Sequence, residues 1–251
     1  MDSIEEKFDY KKNINNIDYD KLYGLGGSFL VSPLEKSKTF SKEMFSEDQK
    51  MFADAAYDYA TNRLKPLKDK LSILNKDLTL EIFKELGEMG FLGVDMPEQY
   101  GGSNLDKTTA AIVVDYLSFS ECGSMMVTLG AHSGIGALPI VWYGTNAQKE
   151  KYLPKMASGE WLACFALTEP NAGSDAMNGE STAYLNEDKT HYVVNGQKIW
   201  ITNGSWANSC IVFAKVSGKM TAFIVDKDCE GWVIGAEEKK MGIKGSSTVT
   251  M

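Results

Sequence analysis

The stretch that decides the fold of this chain is Trp161–Asp175, which reads WLACFALTEPNAGSD. Its apolar part predicts a β-strand, and Pro170 predicts where that strand ends because proline cannot donate to a sheet ladder. Small residues follow, and at Ala172 to Ser174 they let backbone N–H groups approach a ligand closely. The stretch therefore predicts a strand followed by a loop that holds an anionic or polar ring system through main-chain donors.

A second informative stretch is Gln197–Gly204, which reads QKIWITNG and predicts another strand. Alternation along a strand would place Trp200 and Thr202 on the same face. Together with Thr168 of the first stretch, we expect one aromatic ring and two hydroxyls to meet around one flat cofactor. Either threonine taken alone would be interpreted as an ordinary strand residue.

Residues 46–160 carry helical patterns. Ser46 with Gln49 and Thr145 with Gln148 have the spacing of a capping box, and Gly90 suits a helix C-terminus. Apolar residues recur at helical spacing in several places along this part of the chain. The members that define these patterns are Phe52, Ala56, Tyr59, Ile82, Leu86, Met89, Val113, Tyr116 and Leu117.

Residues 161–251 carry strand patterns instead. Asn195-Gly196 predicts a hairpin between Tyr192–Val194 and Ile199–Ile201, because both positions tolerate positive φ. Ser217-Gly218 predicts a second hairpin, which joins residues 210–216 to 221–225, and residues 231–235 suggest a further short strand. Helices followed by strands indicate an α+β fold, a helical domain and then an antiparallel β domain. We place the boundaries at 1–44 for an N-terminal extension, 45–160 for the helical domain and 161–251 for the β domain.

The N-terminal extension contains a glycine cluster, Gly24–Ser28, that raises the question of a dinucleotide-binding loop. Phe29 stands where the third glycine of such a loop belongs, and no strand pattern precedes the cluster. We interpret the cluster as a flexible turn.

Composition excludes several function classes. The net charge is −8, so the chain lacks the basic footprint of a nucleic-acid reader. No uninterrupted apolar run reaches about 18 residues, which argues against a membrane span. Two separated histidines and four cysteines without a C-x-x-C pair argue against a zinc site and favour reduced, packed thiols. The N-terminus lacks the features of a signal or transit peptide, so we expect a cytoplasmic protein.

Both opening stretches resemble the flavin-binding signatures of the acyl-CoA dehydrogenase family. The resemblance runs from about Phe45 to Met251 and is nearest to the long-chain or very-long-chain-like bacterial branch. It implies an N-terminal helical domain, a middle β domain and a C-terminal helical bundle, of which this sequence matches the first two. We therefore expect a partial sequence of a longer enzyme. The further motifs that carry the resemblance are GFLGV at 90–94, YGG at 100–102, GT at 144–145, QKEKYLP at 148–154 and KKMGIK at 239–244.

The resemblance implies FAD as the cofactor. Thr168 would bond the pyrimidine side of the flavin ring, Thr202 would lie near its reactive N5, and Trp200 would pack against the isoalloxazine. Ser174 would serve the phosphate region of the flavin or of the substrate, although a local turn bond is an equally ordinary role for serine. The predicted cofactor-binding residues are Phe165, Leu167, Thr168, Gly173, Ser174, Trp200, Ile201 and Thr202.

The resemblance also places the acyl-tail pocket along the small-residue segment 123–139. A glycine-rich helix suggests a backbone that another group approaches closely, because glycine otherwise weakens a helix. A deep apolar slot would favour long acyl chains, and close helix packing explains the same residues equally well. We expect His132, in the same segment, to be packed or solvated. The predicted substrate-binding residues are Ser174, Val127, Gly130, Ala131 and Gly134.

No residue of this sequence is predicted to be catalytic. In the family, the base that removes the α-proton is a glutamate of the C-terminal bundle, and Glu169 lies in a constrained turn that suits structural hydrogen bonding. The resemblance implies α,β-dehydrogenation of acyl-CoA in fatty acid β-oxidation, an electron-transfer flavoprotein as acceptor, and a homo-oligomer at full length. We expect a chain limited to these two domains to retain FAD weakly or not at all. The alternatives are an acyl-CoA oxidase or flavin oxygenase of the same fold, or a non-catalytic binding module.

Overall fold

The structure, a computed structural model, describes residues 40–251, and the glycine turn predicted at 24–28 lies outside them. Residues 40–47 belong to one unit, in which Lys42–Met44 forms a short 3₁₀ turn and the Phe40 ring stacks on Phe45 at 5.7 Å. Residues 48–251 form a second unit, which contains both predicted signature stretches.

Helices occupy the first part of the described chain, as the sequence predicts. Irregular turns interrupt them: a π turn at Ala60–Leu64 runs into a 3₁₀ turn at Lys65–Leu67, and a second π turn covers Gly130–Gly136. The α-helices are α1 Glu47–Tyr59, α2 Lys68–Leu71, α3 Lys76–Glu88, α4 Lys107–Leu117, α5 Gly123–Leu129, α6 Leu138–Tyr143 and α7 Asn146–Ala157.

The helix ends confirm two predictions from local sequence. Thr145 and Gln148 form the predicted capping box, in which each side chain accepts a hydrogen bond from the other's backbone N–H, at 3.3 and 2.8 Å. Gly90 follows α3 with φ of +75°, and its N–H bonds the Gly87 carbonyl while Phe91 N–H bonds the Leu86 carbonyl. These paired bonds make a Schellman motif, which satisfies carbonyls that α3 leaves open.

Strands occupy the second part, and the α+β order is confirmed. The sheet is mixed and not antiparallel throughout as predicted: β1 pairs with β5 in parallel, while β5 with β6 and β2 with β3 are antiparallel. A small separate sheet pairs β4 with β7. The strands are β1 Ala163–Ala166, β2 Thr182–Leu185, β3 Tyr192–Asn195, β4 Ile201–Thr202, β5 Ser209–Val216, β6 Lys219–Asp226 and β7 Thr248–Val249.

The predicted hairpin at Ser217-Gly218 is confirmed, since both residues have positive φ between β5 and β6. The hairpin predicted at Asn195-Gly196 is wrong, because Asn195 pairs with Thr182 of β2 instead. A Cβ on Gly196 would lie 2.0 Å from the Ser181 hydroxyl oxygen, so this glycine allows two segments to approach closely. A turn with positive φ is therefore not its role.

The strand predicted at residues 231–235 is also wrong. Gly231 has φ of +80°, which breaks an extended run, and Gly235 N–H instead bonds the Thr250 carbonyl at 2.8 Å. The strand predicted at 197–204 is limited to Ile201 and Thr202.

The sheet packs on the helices through one face of β1 and β5. Ala163 and Ile211 join a buried cluster with helical residues, whereas Cys164 and Cys210 belong to a cluster on the opposite face. This alternation is the period of two that strands impose. The members of the first cluster that come from the helical part of the chain are Met96, Tyr100, Ala137, Ile140, Tyr152, Leu153, Met156 and Ala157.

Among residues 40–251, one helical stretch, Gly123–Tyr143, is long and apolar enough to cross a membrane, judged by length and composition only. Half of the most apolar part of this stretch is buried inside the protein. At its centre His132 is fully buried and bonded to Met156 and Ala163, so the stretch packs as a core helix.

Candidate functional site

The site begins where β1 ends. Glu169 and Ala172 exchange backbone hydrogen bonds at 3.0 and 3.1 Å, which closes a tight turn around Pro170 and Asn171. Gly173 and Ser174 follow on the surface, and no atom lies within 4 Å of where a Cβ on Gly173 would stand. The loop therefore has the open, small-residue character that the sequence predicts.

The second signature stretch lies directly beside this loop. Ile199 N–H donates to the Thr168 carbonyl at 3.0 Å, and Lys198 Nζ donates to the Leu167 carbonyl at 3.1 Å. These bonds bring Thr168 next to the segment that carries Trp200 and Thr202. The structure thus brings the two predicted hydroxyls and the aromatic ring into one region.

Alternation along a strand does not explain how Trp200 is placed, and that part of the prediction is wrong. Trp200 has φ of +58° and precedes β4, which contains only Ile201 and Thr202. Its side chain is 64% exposed, a large apolar surface for a folded protein. Ile201 is buried and pairs with Val249, and Thr202 is half-buried.

The remaining predicted cofactor residues have mixed surroundings. Phe165 is half-buried, and its ring packs against Phe213 with centroids 5.1 Å apart, on the face that meets the helices. Leu167 is half-buried, and its carbonyl accepts the hydrogen bond from Lys198. Thr168 is half-buried between Leu167 and the loop.

A buried ion pair lies behind Thr168. Lys198 Nζ is 2.6 Å from Glu169 Oε1, and both side chains are only 5% exposed. The Glu169 carboxylate also accepts hydrogen bonds from the backbone N–H groups of Glu180 and Ser181. Burial alone would raise the pKa of Glu169, but the hydrogen bonds from Lys198 and Ser181 outweigh it and hold that pKa at about 2.

This arrangement confirms Glu169 as a structural residue. A carboxylate with so low a pKa is a poor proton acceptor, because an effective general base has a pKa near the working pH. Sequence reasoning missed its partner Lys198, which is 29 residues away along the chain. A lysine inside an otherwise apolar strand-like stretch was the available signal.

The small-residue segment divides into two kinds of position. A Cβ on Gly136 would lie 2.7 Å from the Ala163 Cβ, so this glycine serves close packing of the helix on β1. Gly130 and Gly134 have no atom within 4 Å of a built Cβ, and Val127 is 38% exposed. Ala131, by contrast, is buried. Gly130, Gly134 and Val127 therefore border open space, and Ala131 belongs to the interior.

His132 is packed, as the sequence predicts. Its Nδ1 accepts a hydrogen bond from Ala163 N–H at 3.1 Å, so Nε2 carries the proton and donates to the Met156 carbonyl at 3.1 Å. Burial lowers the pKa of His132 to about 4, which keeps the ring neutral. The two hydrogen bonds of His132 fix the π turn at Gly130–Gly136 to β1 and α7.

The residues around Trp200 and Thr168 fit a flat cofactor that carries an anionic group. Trp200 offers an exposed ring for packing, and Thr168 and Thr202 are both half-buried residues that carry a hydroxyl. The open loop at Gly173 and Ser174 leaves room for backbone donors to meet a phosphate. Across residues 40–251, no group of three or more His, Cys, Asp and Glu side chains is placed to hold a metal ion.

Comparison with known proteins identifies the class that this fold and site define. Residues 46–160 match the model of the acyl-CoA dehydrogenase N-terminal domain, and residues 164–251 match the model of the middle domain of the same family. The chain belongs to the acyl-CoA dehydrogenase family.

Particular relatives agree with this assignment. A probable acyl-CoA dehydrogenase of Bacillus subtilis is 47% identical over 90% of the chain and 38% of the relative. The very long-chain specific mitochondrial enzyme of Macaca fascicularis is 38% identical over 85% of the chain and 36% of the relative. The crystal structure of a Bacillus anthracis acyl-CoA dehydrogenase complexed with FAD superposes with a TM-score of 0.84 and 49% identity, over 90% of this chain and 38% of that one. The chain therefore spans less than half the length of these relatives.

Proposed function

We propose that this chain supplies the FAD-binding and acyl-binding parts of an enzyme that dehydrogenates acyl-CoA thioesters at the α,β position in fatty acid β-oxidation. The observation that carries the proposal is the exposed Trp200 ring, which lies in a segment that the Ile199 to Thr168 hydrogen bond joins to the loop. The family membership supports the same reaction.

FAD supplies the hydride acceptor of this chemistry when it is bound, and the protein supplies position, exclusion of water and hydrogen bonds. Thr168 and Thr202 would hold the polar edge of the flavin, and Trp200 would pack on its ring. Gly173 and Ser174 would meet the phosphate region through backbone N–H groups and a hydroxyl.

The described residues include none that we assign as the base for the α-proton. Glu169 is the carboxylate next to the site, and its proton affinity is suppressed by Lys198 and two backbone N–H groups. In this proposal Glu169 holds the loop in position. Another residue, which we do not assign, removes the α-proton.

We further propose that the acyl tail lies along Val127, Gly130 and Gly134, with a preference for long chains. Open space at both glycines supports this proposal, because a side chain at either position would occupy it. We also propose an electron-transfer flavoprotein as the electron acceptor and a homo-oligomeric enzyme. We propose a cytoplasmic location, since the four cysteines are free thiols, as a reducing compartment allows.

Titration of the chain with FAD tests the cofactor site. We expect weak binding, detected by quenching of flavin fluorescence, and at least about tenfold weaker binding for Trp200→Ala. Trp142→Ala is the matched control, because Trp142 is also exposed, at 56%, and packs near Lys107 rather than at the site. Unchanged affinity in Trp200→Ala would refute the assignment.

A second titration tests the acyl slot. Gly134→Val places a side chain in the open space and should weaken palmitoyl-CoA binding more than butyryl-CoA binding, by about tenfold in the ratio. Gly123→Val is the control, because Gly123 also has no atom within 4 Å of a built Cβ but begins α5. Equal effects on both acyl-CoAs would contradict a slot at this helix face.

A further inference from the structure

Both side chains of the Lys198–Glu169 ion pair are almost fully buried, which is unusual for a pair of charged groups. Burying two charges is costly, and replacing such a pair by apolar residues is often neutral or stabilising. Stability alone is therefore a weak explanation for this pair. Its position between the two signature stretches indicates another role.

Every hydrogen bond of this pair connects a different segment to the site. Glu169 belongs to the loop after β1, and its carboxylate accepts from the backbone N–H groups of Glu180 and Ser181, which directly precede β2. Lys198 immediately precedes Ile199, whose N–H bonds Thr168, and Lys198 Nζ also bonds the Leu167 carbonyl. The pair thus fixes the loop, the start of β2 and the Trp200 segment against one another.

We propose that Lys198 and Glu169 are positioning residues, whose ion pair sets the separation between Thr168 and Trp200 that flavin binding requires. The inference rests on the proposed flavin site. Neither side chain needs to touch the cofactor, because both lie behind the residues that would. Each charged residue positions the site through its neighbours along the backbone. Thr168 directly precedes Glu169, and Ile199 and Trp200 directly follow Lys198.

The test uses the double variant Lys198→Met/Glu169→Gln, which removes both charges and leaves no buried charge unpaired. Asp226→Asn is the control, since Asp226 also pairs with a lysine at 2.6 Å, but its partner Lys151 is 52% exposed and the pair joins α7 to β6. If the double variant does not fold, Glu169→Gln alone replaces it and keeps an oxygen for Ser181 N–H.

Two measurements separate this inference from the proposed function. In the chain without FAD, the Ile199 amide should exchange its hydrogen at least about tenfold faster in the double variant, while amides in the β5–β6 hairpin keep their wild-type rates. In the FAD titration, the double variant should bind at least about tenfold more weakly, and Asp226→Asn should stay within about twofold of wild type. Wild-type Ile199 exchange in the double variant overturns the positioning role.

FAD affinity within about twofold of wild type in the double variant also overturns the positioning role, whatever happens to its unfolding free energy. If Trp200→Ala binds FAD as tightly as the wild-type chain, the proposed flavin site fails. The Ile199 exchange rate then still decides whether the ion pair holds the two segments together.

Discussion

His132 makes the free energy of unfolding depend on pH between its unfolded pKa of 6.5 and its folded pKa of about 4. Its Nδ1 accepts from Ala163 N–H, so a second proton on the ring would set two donors against each other in a fully buried site. The sequence contains only two histidines, and the other, His191, is exposed. Replacing His132 by Gln, which carries a donor and an acceptor but does not titrate, therefore isolates its effect.

The magnitude follows from the two pKa values. Burial lowers the pKa of His132 from 6.5 to about 4, so the unfolded chain binds the proton more tightly than the folded one. The associated stability is fully present above pH 6.5 and is lost as the pH falls toward 4. The free energy of unfolding falls by about 3 kcal/mol when this contribution is lost completely. About 2 kcal/mol of this decrease occurs between pH 7 and pH 5.

Urea unfolding, followed by tryptophan fluorescence at pH 7, 6 and 5, measures this loss. The free energy of unfolding should fall with pH in the wild type and in the control His191→Gln, and much less in His132→Gln. Parallel pH dependence in wild type and His132→Gln between pH 7 and pH 5 would refute the reasoning.

Three further predictions concern the loop and the helix. The pKa of Glu169 is depressed to about 2, so its carboxylate should contribute about 3 kcal/mol to the free energy of unfolding. This contribution is present above pH 4.5 and is lost as the pH falls toward 2. In urea titrations at acid pH, the difference in unfolding free energy between wild type and Glu169→Gln should therefore shrink. Gly136→Ala should destabilise by about 1–3 kcal/mol in thermal or urea unfolding, because its Cβ would lie 2.7 Å from that of Ala163. Gly130→Ala should instead stabilise by about 0.5–1 kcal/mol, since nothing crowds that position and alanine favours a helix.

Each of these has an outcome that contradicts it. A constant difference between wild type and Glu169→Gln from pH 5 to pH 3 would show that the carboxylate is not held ionised by its partners. Equal unfolding free energies for Gly136→Ala and Gly130→Ala would show that the two glycines do not differ in crowding.

Much of the helical part was predictable because its signals are local. The capping box at Thr145 and Gln148 and the Schellman motif at Gly90 are closed by hydrogen bonds between residues three to five positions apart. The hairpin at Ser217-Gly218 is of the same kind, since its turn determines which strands meet. Such bonds join residues that are close along the chain, so the local sequence can indicate them.

The sequence named residues for the candidate site but did not give their geometry. The signature stretches named Thr168, Trp200 and Thr202, yet Trp200 reaches its exposed position through a positive φ rather than through strand alternation. The Lys198–Glu169 pair was not predictable from spacing, because 29 residues separate its members.

By itself, the sequence determined the order of helices and strands, the capping box at Thr145, the helix end at Gly90 and the hairpin at Ser217-Gly218. Only the tertiary structure decided which strand pairs with which, and which glycine meets another segment. Gly136 and Gly196 are crowded by Ala163 and Ser181, whereas Gly130 is open. The physical reason is that the lack of a Cβ affects packing only where a distant segment lies against the glycine. Which segment lies there depends on the whole fold.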